Sequence, residues 1–396
     1  MLLGPAFVAA IAYVDPGNVA ANLSGGAKFG YLLVWVLVAA NLIAAVVQYQ
    51  SARLGIVSGK TLPALLGERM RPTPRRAFWV QAELVAVATD LAEIVGGAIA
   101  LNLLFGLPLL LGGVIVGVIS MLLLAAQSRF GQRPFESVII GLLAIIAVGF
   151  LAGLFVHPPD GGQIIGGLLP RFDGTDSVLL AASMLGATVM PHAIYVHSAL
   201  ARDRHGRAET ADARVMLLRA TRWDVIIALG IAGLVNIGML LLAAANLRGV
   251  SGTDTIEGAH AAIGASLGPV IALAFAIGLL ASGLASTSVG SYAGATIMAG
   301  LVKRQIPLFL RRLITLIPAL AVLALGIDPT WALVISQVVL SFGIPFALIP
   351  LFRLTNDRRV MGDSANGPAM RWTLGVIVVL VVALNIALVL LLLAGL

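Results

Sequence analysis

The chain has 396 residues, 60% of them apolar and only 11% charged, against roughly 45–50% apolar and about 25% charged in soluble domains, so a soluble fold is excluded. Cysteine is absent, which removes disulfides, iron–sulfur clusters and thiolate chemistry together and leaves oxygen, imidazole or thioether as the only possible metal ligands. The formal charge of +7 does not mark a nucleic-acid face, because Lys and Arg sit in short loops between apolar runs. A spanning helix needs about 20 mostly apolar residues. That rule places eleven, at roughly 2–24, 30–53, 78–104, 107–126, 137–156, 178–200, 223–246, 268–300, 306–327, 331–352 and 372–394. The expectation is an all-α polytopic protein forming one membrane domain over residues 1–396. Met1 to Pro5 lack a charged n-region and a cleavage site, so they read as the start of the first span and not as a signal peptide.

The first span holds Tyr13-Val14-Asp15-Pro16-Gly17-Asn18 at mid-depth. Proline removes a backbone donor there and frees carbonyls that are costly in lipid. A carboxylate at the centre of a span costs about 2.5–3.5 kcal/mol on insertion scales. A bound cation answers both problems. The third span carries Glu83, Asp90 and Glu93 in an otherwise apolar helix, and at about 100° per residue all three fall on one face. Acidic groups lining one stripe inside a membrane mark an ion or proton path by default. The sixth span repeats the interruption, with Gly186-Ala187-Thr188-Val189-Met190-Pro191-His192 again at mid-depth. His192 reads as a metal ligand, a proton acceptor or a satisfied core residue, and His197 as a weaker candidate for the same route. At the start of the ninth span Arg311 and Arg312 read either as a continuation of the polar path from Asp90 to the cytoplasm or, for at least one of them, as a positive-inside anchor.

Two broken helices five spans apart imply that spans 1–5 and 6–10 run in opposite senses, an inverted repeat over about 1–156 and 178–352 with its site at the midplane. The span at 372–394 is then an addition. Glycines 17, 25, 26, 186 and 283 read as places that absorb backbone change or permit close packing. A cytoplasmic N-terminus puts all but Lys28, Arg171 and Arg248 of the 25 Lys and Arg on the inside, as the positive-inside rule requires, and leaves the C-terminus extracytoplasmic. Outer loops carry Asp160, Asp173, Asp176, Asp254 and Glu257, a mild acidic bias.

At Asp15-Pro16-Gly17-Asn18 and Met190-Pro191-His192, and further at Gly131-Gln132-Arg133-Pro134-Phe135-Glu136 and Tyr292-Ala293-Gly294, the sequence resembles the natural resistance-associated macrophage protein (Nramp) family of proton-coupled divalent metal transporters. Gly283-Leu284-Ala285-Ser286-Thr287 departs from the family's usual Gly-Gln-Ser-Ser-Thr. The resemblance implies a LeuT-type 5+5 inverted repeat with discontinuous helices 1 and 6. It also implies a cell-membrane location and import of Mn²⁺ or Fe²⁺, with Cd²⁺ and Co²⁺ also carried. Asp15, Asn18 and Met190 are the implied side-chain ligands, with the Ala12 and Ala187 carbonyls and, on closure, Gln337. The implied proton route uses Asp15, Asp90, Glu93 and His192. The expected partners are the transported metal, protons and the bilayer, with no resident cofactor, nucleic acid or obligatory protein partner. A thioether among oxygen donors favours first-row transition ions over Ca²⁺ and Mg²⁺.

A cation-coupled amino-acid transporter of the same fold is the nearest competing reading, and Asp15 disfavours it because it would repel a substrate carboxylate. A channel would need a ring-like filter. An intramembrane enzyme would need a nucleophile or metalloprotease motif, and the sequence has neither.

Overall fold

The computed structural model describes residues 4–130, 132–208, 210–302 and 307–393; Gly131 of the Gly131–Glu136 motif and Lys303 fall outside them. Within these residues the chain is almost wholly helical and makes eleven spans. Span 1 is split into 1a (Pro5–Ile11, tightening into a turn at Ala12–Val14) and 1b (Pro16–Phe29). Spans 2 to 5 are Val34–Ser58, Pro72–Phe105, Leu109–Phe130 and Gln132–Val156. Span 6 is split into 6a (Gly174–Thr188) and 6b (Pro191–His205). Spans 7 to 11 are Ala211–Asn246, Pro269–Leu301, Leu308–Ala324, Pro329–Asn356 and Pro368–Leu393.

Hydropathy reads only the part of a helix inside lipid, so several spans run past their expected ends. Span 7 begins at Ala211, where the Thr210 hydroxyl accepts the Ala213 N–H at 3.2 Å and caps the first turn. It then runs through Arg214, Arg219 and Arg222 before the apolar stretch begins. Span 3 starts at Pro72, proline being well suited to a first helical turn. The connectors hold short helices that apolar length does not reveal, chiefly Leu62–Arg69, Gly161–Gly166 and Ile256–Leu267.

The two halves interlock around their breaks. Span 1a packs beside 6b and 1b beside 6a, while span 10 lies against 1b, 3, 6a and 6b. Span 3 is sandwiched between spans 8, 10, 4 and 9, and span 11 docks on the outside against 10 and 6a. This is the 5+5 inverted repeat with discontinuous helices 1 and 6 and one added helix. Small residues set the closest approaches: a Cβ on Gly26 would sit 2.4 Å from the Leu240 carbonyl oxygen of span 7, so 1b and 7 meet backbone to backbone.

Candidate functional site

In an uninterrupted helix the N–H of residue i bonds the carbonyl of residue i−4. Pro16 and Pro191 have no N–H, so each break strips the donor from one carbonyl in particular, Ala12 and Ala187. The residue before each proline is extended, Asp15 at φ −71°, ψ 167° and Met190 at φ −66°, ψ 125°, as the proline ring requires. Asp15 Oδ1 accepts the Asn18 N–H at 2.8 Å and caps 1b, where the positive end of the helix dipole favours a carboxylate. Met190 supplies no capping oxygen to 6b. The other carbonyls loosened at the first break are taken up from elsewhere. Asn236 of span 7 donates its amide to the Tyr13 oxygen at 2.7 Å, and the Ser282 hydroxyl of span 8 donates to the Val14 oxygen. Sequence reasoning passed over both residues, although Asn236 is a lone amide in the apolar middle of span 7 and was a usable signal.

The centre is tied together by one amide. Asn18 Nδ2 donates to Asp15 Oδ1 at 2.7 Å and to the Ala187 carbonyl at 3.0 Å, spanning the two broken helices. Gln337 Nε2 of span 10 approaches Asp15 Oδ2 at 3.5 Å. Asp15, Asn18, Ala187, Met190 and Gln337 are all fully buried. Among the described residues Asn18 Oδ1 and Gln337 Oε1 have no hydrogen-bond partner, nor has Thr188 Oγ at the break in span 6, so this buried region holds oxygens left without a donor. Two glycines let Gln337 in: a Cβ on Gly17 would lie 1.8 Å from its side-chain nitrogen, and one on Gly186 would lie 2.0 Å from its carbonyl oxygen. Contacts therefore join Asp15, Asn18, Ala187 and Gln337, while Ala12 and Met190 flank them along the chain at the two breaks. Among the described residues no group of three or more His, Asp or Glu is arranged to hold a metal.

The acidic face of span 3 meets arginine instead. Glu83 pairs with Arg311 at 3.0 Å, and Arg312 reaches Asp90 at 2.5 Å and Glu93 at 3.6 Å. Arg312 also donates to Ser120 and Thr287, at 3.1 and 3.2 Å. The side chains of Arg311 and Arg312 are only 6% and 1% exposed, so both guanidinium groups are held inside the protein against these carboxylates. Glycines 290 and 294 of span 8 make the room: a Cβ would fall 2.8 Å from Glu93 and 2.0 Å from the Arg311 guanidinium respectively. His192 Nδ1 lies 3.3 Å from Thr89 Oγ, one residue before Asp90, and so joins this column to the break in span 6. His197 lies on another chain of contacts, its Nδ1 2.8 Å from Gln48, which in turn donates to the Tyr13 hydroxyl. At the far end of 1a, Asp224 of span 7 accepts the Gly4 and Ala6 N–H groups at 3.0 and 2.9 Å, capping a half-helix that has no cap of its own.

The family model described as natural resistance-associated macrophage protein-like matches residues 6–391. The chain belongs to the Nramp family. Among Nramp relatives, the divalent metal cation transporter MntH of Mycobacterium tuberculosis is 60% identical over 394 residues, covering 100% of this chain and 92% of that protein. The solved manganese transporter of Eremococcus coleocola, in complex with an aromatic bis-isothiourea substituted compound, superposes with a TM-score of 0.87 at 30% identity, over 96% of this chain and 84% of that one. Inward-facing Mhp1 is similar at a TM-score of 0.58 and 17% identity, over 98% and 89%, a likeness of fold alone. This Nramp chain has the LeuT-type arrangement.

Proposed function

We propose that this Nramp protein is a secondary transporter that imports divalent transition metal ions, Mn²⁺ and Fe²⁺ foremost with Cd²⁺ and Co²⁺ accepted, by alternating access with proton coupling. The whole of residues 1–396 acts as one transmembrane domain in the cell membrane, N-terminus cytoplasmic and C-terminus extracytoplasmic, as carrier and not enzyme. It needs no resident cofactor and no obligatory protein partner. The observation that carries the reading is the Asn18 amide lodged between the Asp15 carboxylate and the Ala187 carbonyl. Those two oxygens grip the positive edge of an amide where a dication would take both. A cation entering there turns Asn18 so that its unpaired Oδ1 faces inward with the others. Asp15 supplies the charge, Asn18 and the Ala12 and Ala187 carbonyls supply neutral oxygens, Gln337 joins on closure, and Met190 brings the thioether that disfavours Ca²⁺ and Mg²⁺. The C-terminal ends of 1a and 6a, the negative ends of their dipoles, present those carbonyls.

Protons take the column. Arg312 faces two carboxylates, Asp90 and Glu93, so one guanidinium leaves one negative charge unbalanced, and a proton balances it. His192 links that pair to the break in span 6, Asp15 gives the shared terminus at the metal, and Glu83 with Arg311 extends the column toward the cytoplasm. His197, hydrogen-bonded toward Tyr13, serves this route only through the turn of span 1. Release of 1a from Asp224 opens the cytoplasmic side. The test is Mn²⁺ uptake by purified protein in proteoliposomes at two pH values, for wild type and Asp15→Ala. Uptake that is unchanged in the variant removes the centre described here.

A further inference from the structure

The three cations assigned to the outer face come from three separate elements, and the fold brings them into one place. Lys28 at the end of 1b, Arg171 in the connector between spans 5 and 6, and Arg248 just after span 7 line a single cavity of roughly 530 Å³, with Gln163, Tyr31 and Asp173 also in its wall. Asp173 is the one acidic side chain in that wall, so the cavity is net positive. Among the described residues none of the three cationic side chains forms an ion pair. Three unpaired like charges held around one concavity repel one another until an anion enters. Gly30, at φ +60°, keeps the turn after 1b clear for Arg248, whose guanidinium would lie 3.0 Å from a Cβ there.

A second observation says what kind of anion. The connector that carries Arg171 turns large apolar side chains outward, with Ile165 69% and Leu169 65% exposed and Phe172 45%. It is pinned at that level by Trp35, whose indole donates to the Arg171 carbonyl at 3.2 Å and packs edge-on against Phe172 at 5.3 Å. Exposed aliphatic residues beside a tryptophan at the end of a span belong at the boundary of headgroups and acyl chains. The cavity thus opens where lipid phosphates lie, and arginine and lysine are the side chains that bind phosphate.

We infer that this cavity holds the headgroup phosphate of an anionic phospholipid of the outer leaflet, bridging the connector at Arg171 to span 1 at Lys28 and span 7 at Arg248. The bound lipid clamps the strap between the two repeats and neutralises positive charge that would oppose a cation approaching the outer face. The inference stands apart from the metal reading, because lipid retention is measured with no metal present.

Native mass spectrometry of the purified protein with phosphatidylglycerol or phosphatidylcholine added tests it directly. Wild type is expected to retain phosphatidylglycerol in preference to phosphatidylcholine, the Lys28→Gln/Arg171→Gln/Arg248→Gln variant to lose that preference, and Arg171→Lys/Arg248→Lys to keep it. Equal retention by wild type and the triple Gln variant overturns the site. Displacement of the lipid by millimolar inorganic phosphate, with equal protection against thermal unfolding by phosphate alone, overturns the lipid assignment. Loss of phosphatidylglycerol preference in the Lys double variant overturns the role of charge.

Discussion

The break between spans 1 and 6 and the acidic face of span 3 are both buried polar regions in one apolar protein, yet they are built on opposite electrostatic plans. At the break, among the described residues, one carboxylate, Asp15, sits among amides and carbonyls with no cationic side chain bonded to it, and Asn18 Oδ1 and Gln337 Oε1 remain unpaired. On span 3 every carboxylate is already met by a buried guanidinium, Arg311 or Arg312. A dication placed beside Arg312 would face like charge at close range, whereas one placed beside Asp15 meets a carboxylate, a carbonyl and two neutral amide side chains that can turn their oxygens toward it. A proton, by contrast, needs one lone pair and no coordination shell, and the shared Arg312 leaves one to spare. The proposed division, metal at the break and protons on span 3, rests on which region is pre-neutralised.

The largest effect expected is at Asp15. Asp15→Ala removes the carboxylate of the centre, a loss of about 3–5 kcal/mol for one partner of a buried ionic contact, or at least about 100-fold in Mn²⁺ affinity, read by calorimetry and by uptake. Next is Asp90→Asn, which takes away one of the two carboxylates facing Arg312. Metal-driven acidification of vesicles should fall steeply while Mn²⁺ binding stays within about threefold, less than 1 kcal/mol; acidification at the wild-type rate would erase the distinction between the two regions. Met190→Ala sharpens the chemistry of the centre itself. Mn²⁺ uptake should persist while Ca²⁺ or Mg²⁺ begins to compete, and unchanged exclusion of Ca²⁺ would take selectivity away from the thioether. Asn236→Ala leaves the Tyr13 carbonyl without its donor, a cost of about 1–3 kcal/mol for a buried unpaired group, visible as a lower unfolding temperature.

The smallest effect lies outside both regions, at the ion pair of Arg69 and Asp357 between two connectors, 3.0 Å apart. The Arg359 N–H and then the Arg69 guanidinium hold the Asp357 carboxyl below the usual carboxylate range. With its folded value depressed, its contribution is present above the unfolded pKa of about 4 and is lost only as pH falls through the lower folded value. Asp357→Asn should therefore change thermal stability little at pH 7, and the difference from wild type should vanish in acid.

Much of this architecture is legible in the sequence. Proline next to a polar residue at mid-span is a signal that survives in one dimension, so both breaks and the inverted repeat could be read from Asp15-Pro16 and Met190-Pro191, and the shared face of Glu83, Asp90 and Glu93 follows from helical period alone. What escaped depends on contacts between distant spans. Asn236 and Ser282 satisfy carbonyls of span 1 from more than 200 residues away, and Asp224 caps 1a from span 7; nothing local announces these pairings. Gln337 entered only through family resemblance: like Asn236 it stands out as an amide in a long apolar helix, but its approach to Asp15 is set by contacts between spans 1 and 10. Glycines 17 and 186 were legible as special but open to two readings. Their φ angles are not left-handed, and the space they leave is filled by Gln337 and span 10, so close approach is the reason for both.

Anomalous scattering from crystals soaked in Mn²⁺ tests the division between the two regions most directly. A single strong peak between the broken helices, in contact with Asp15, Asn18 and Met190 and absent in Asp15→Ala, is the result expected. A peak beside Asp90 and Glu93, with the break empty, would contradict the account.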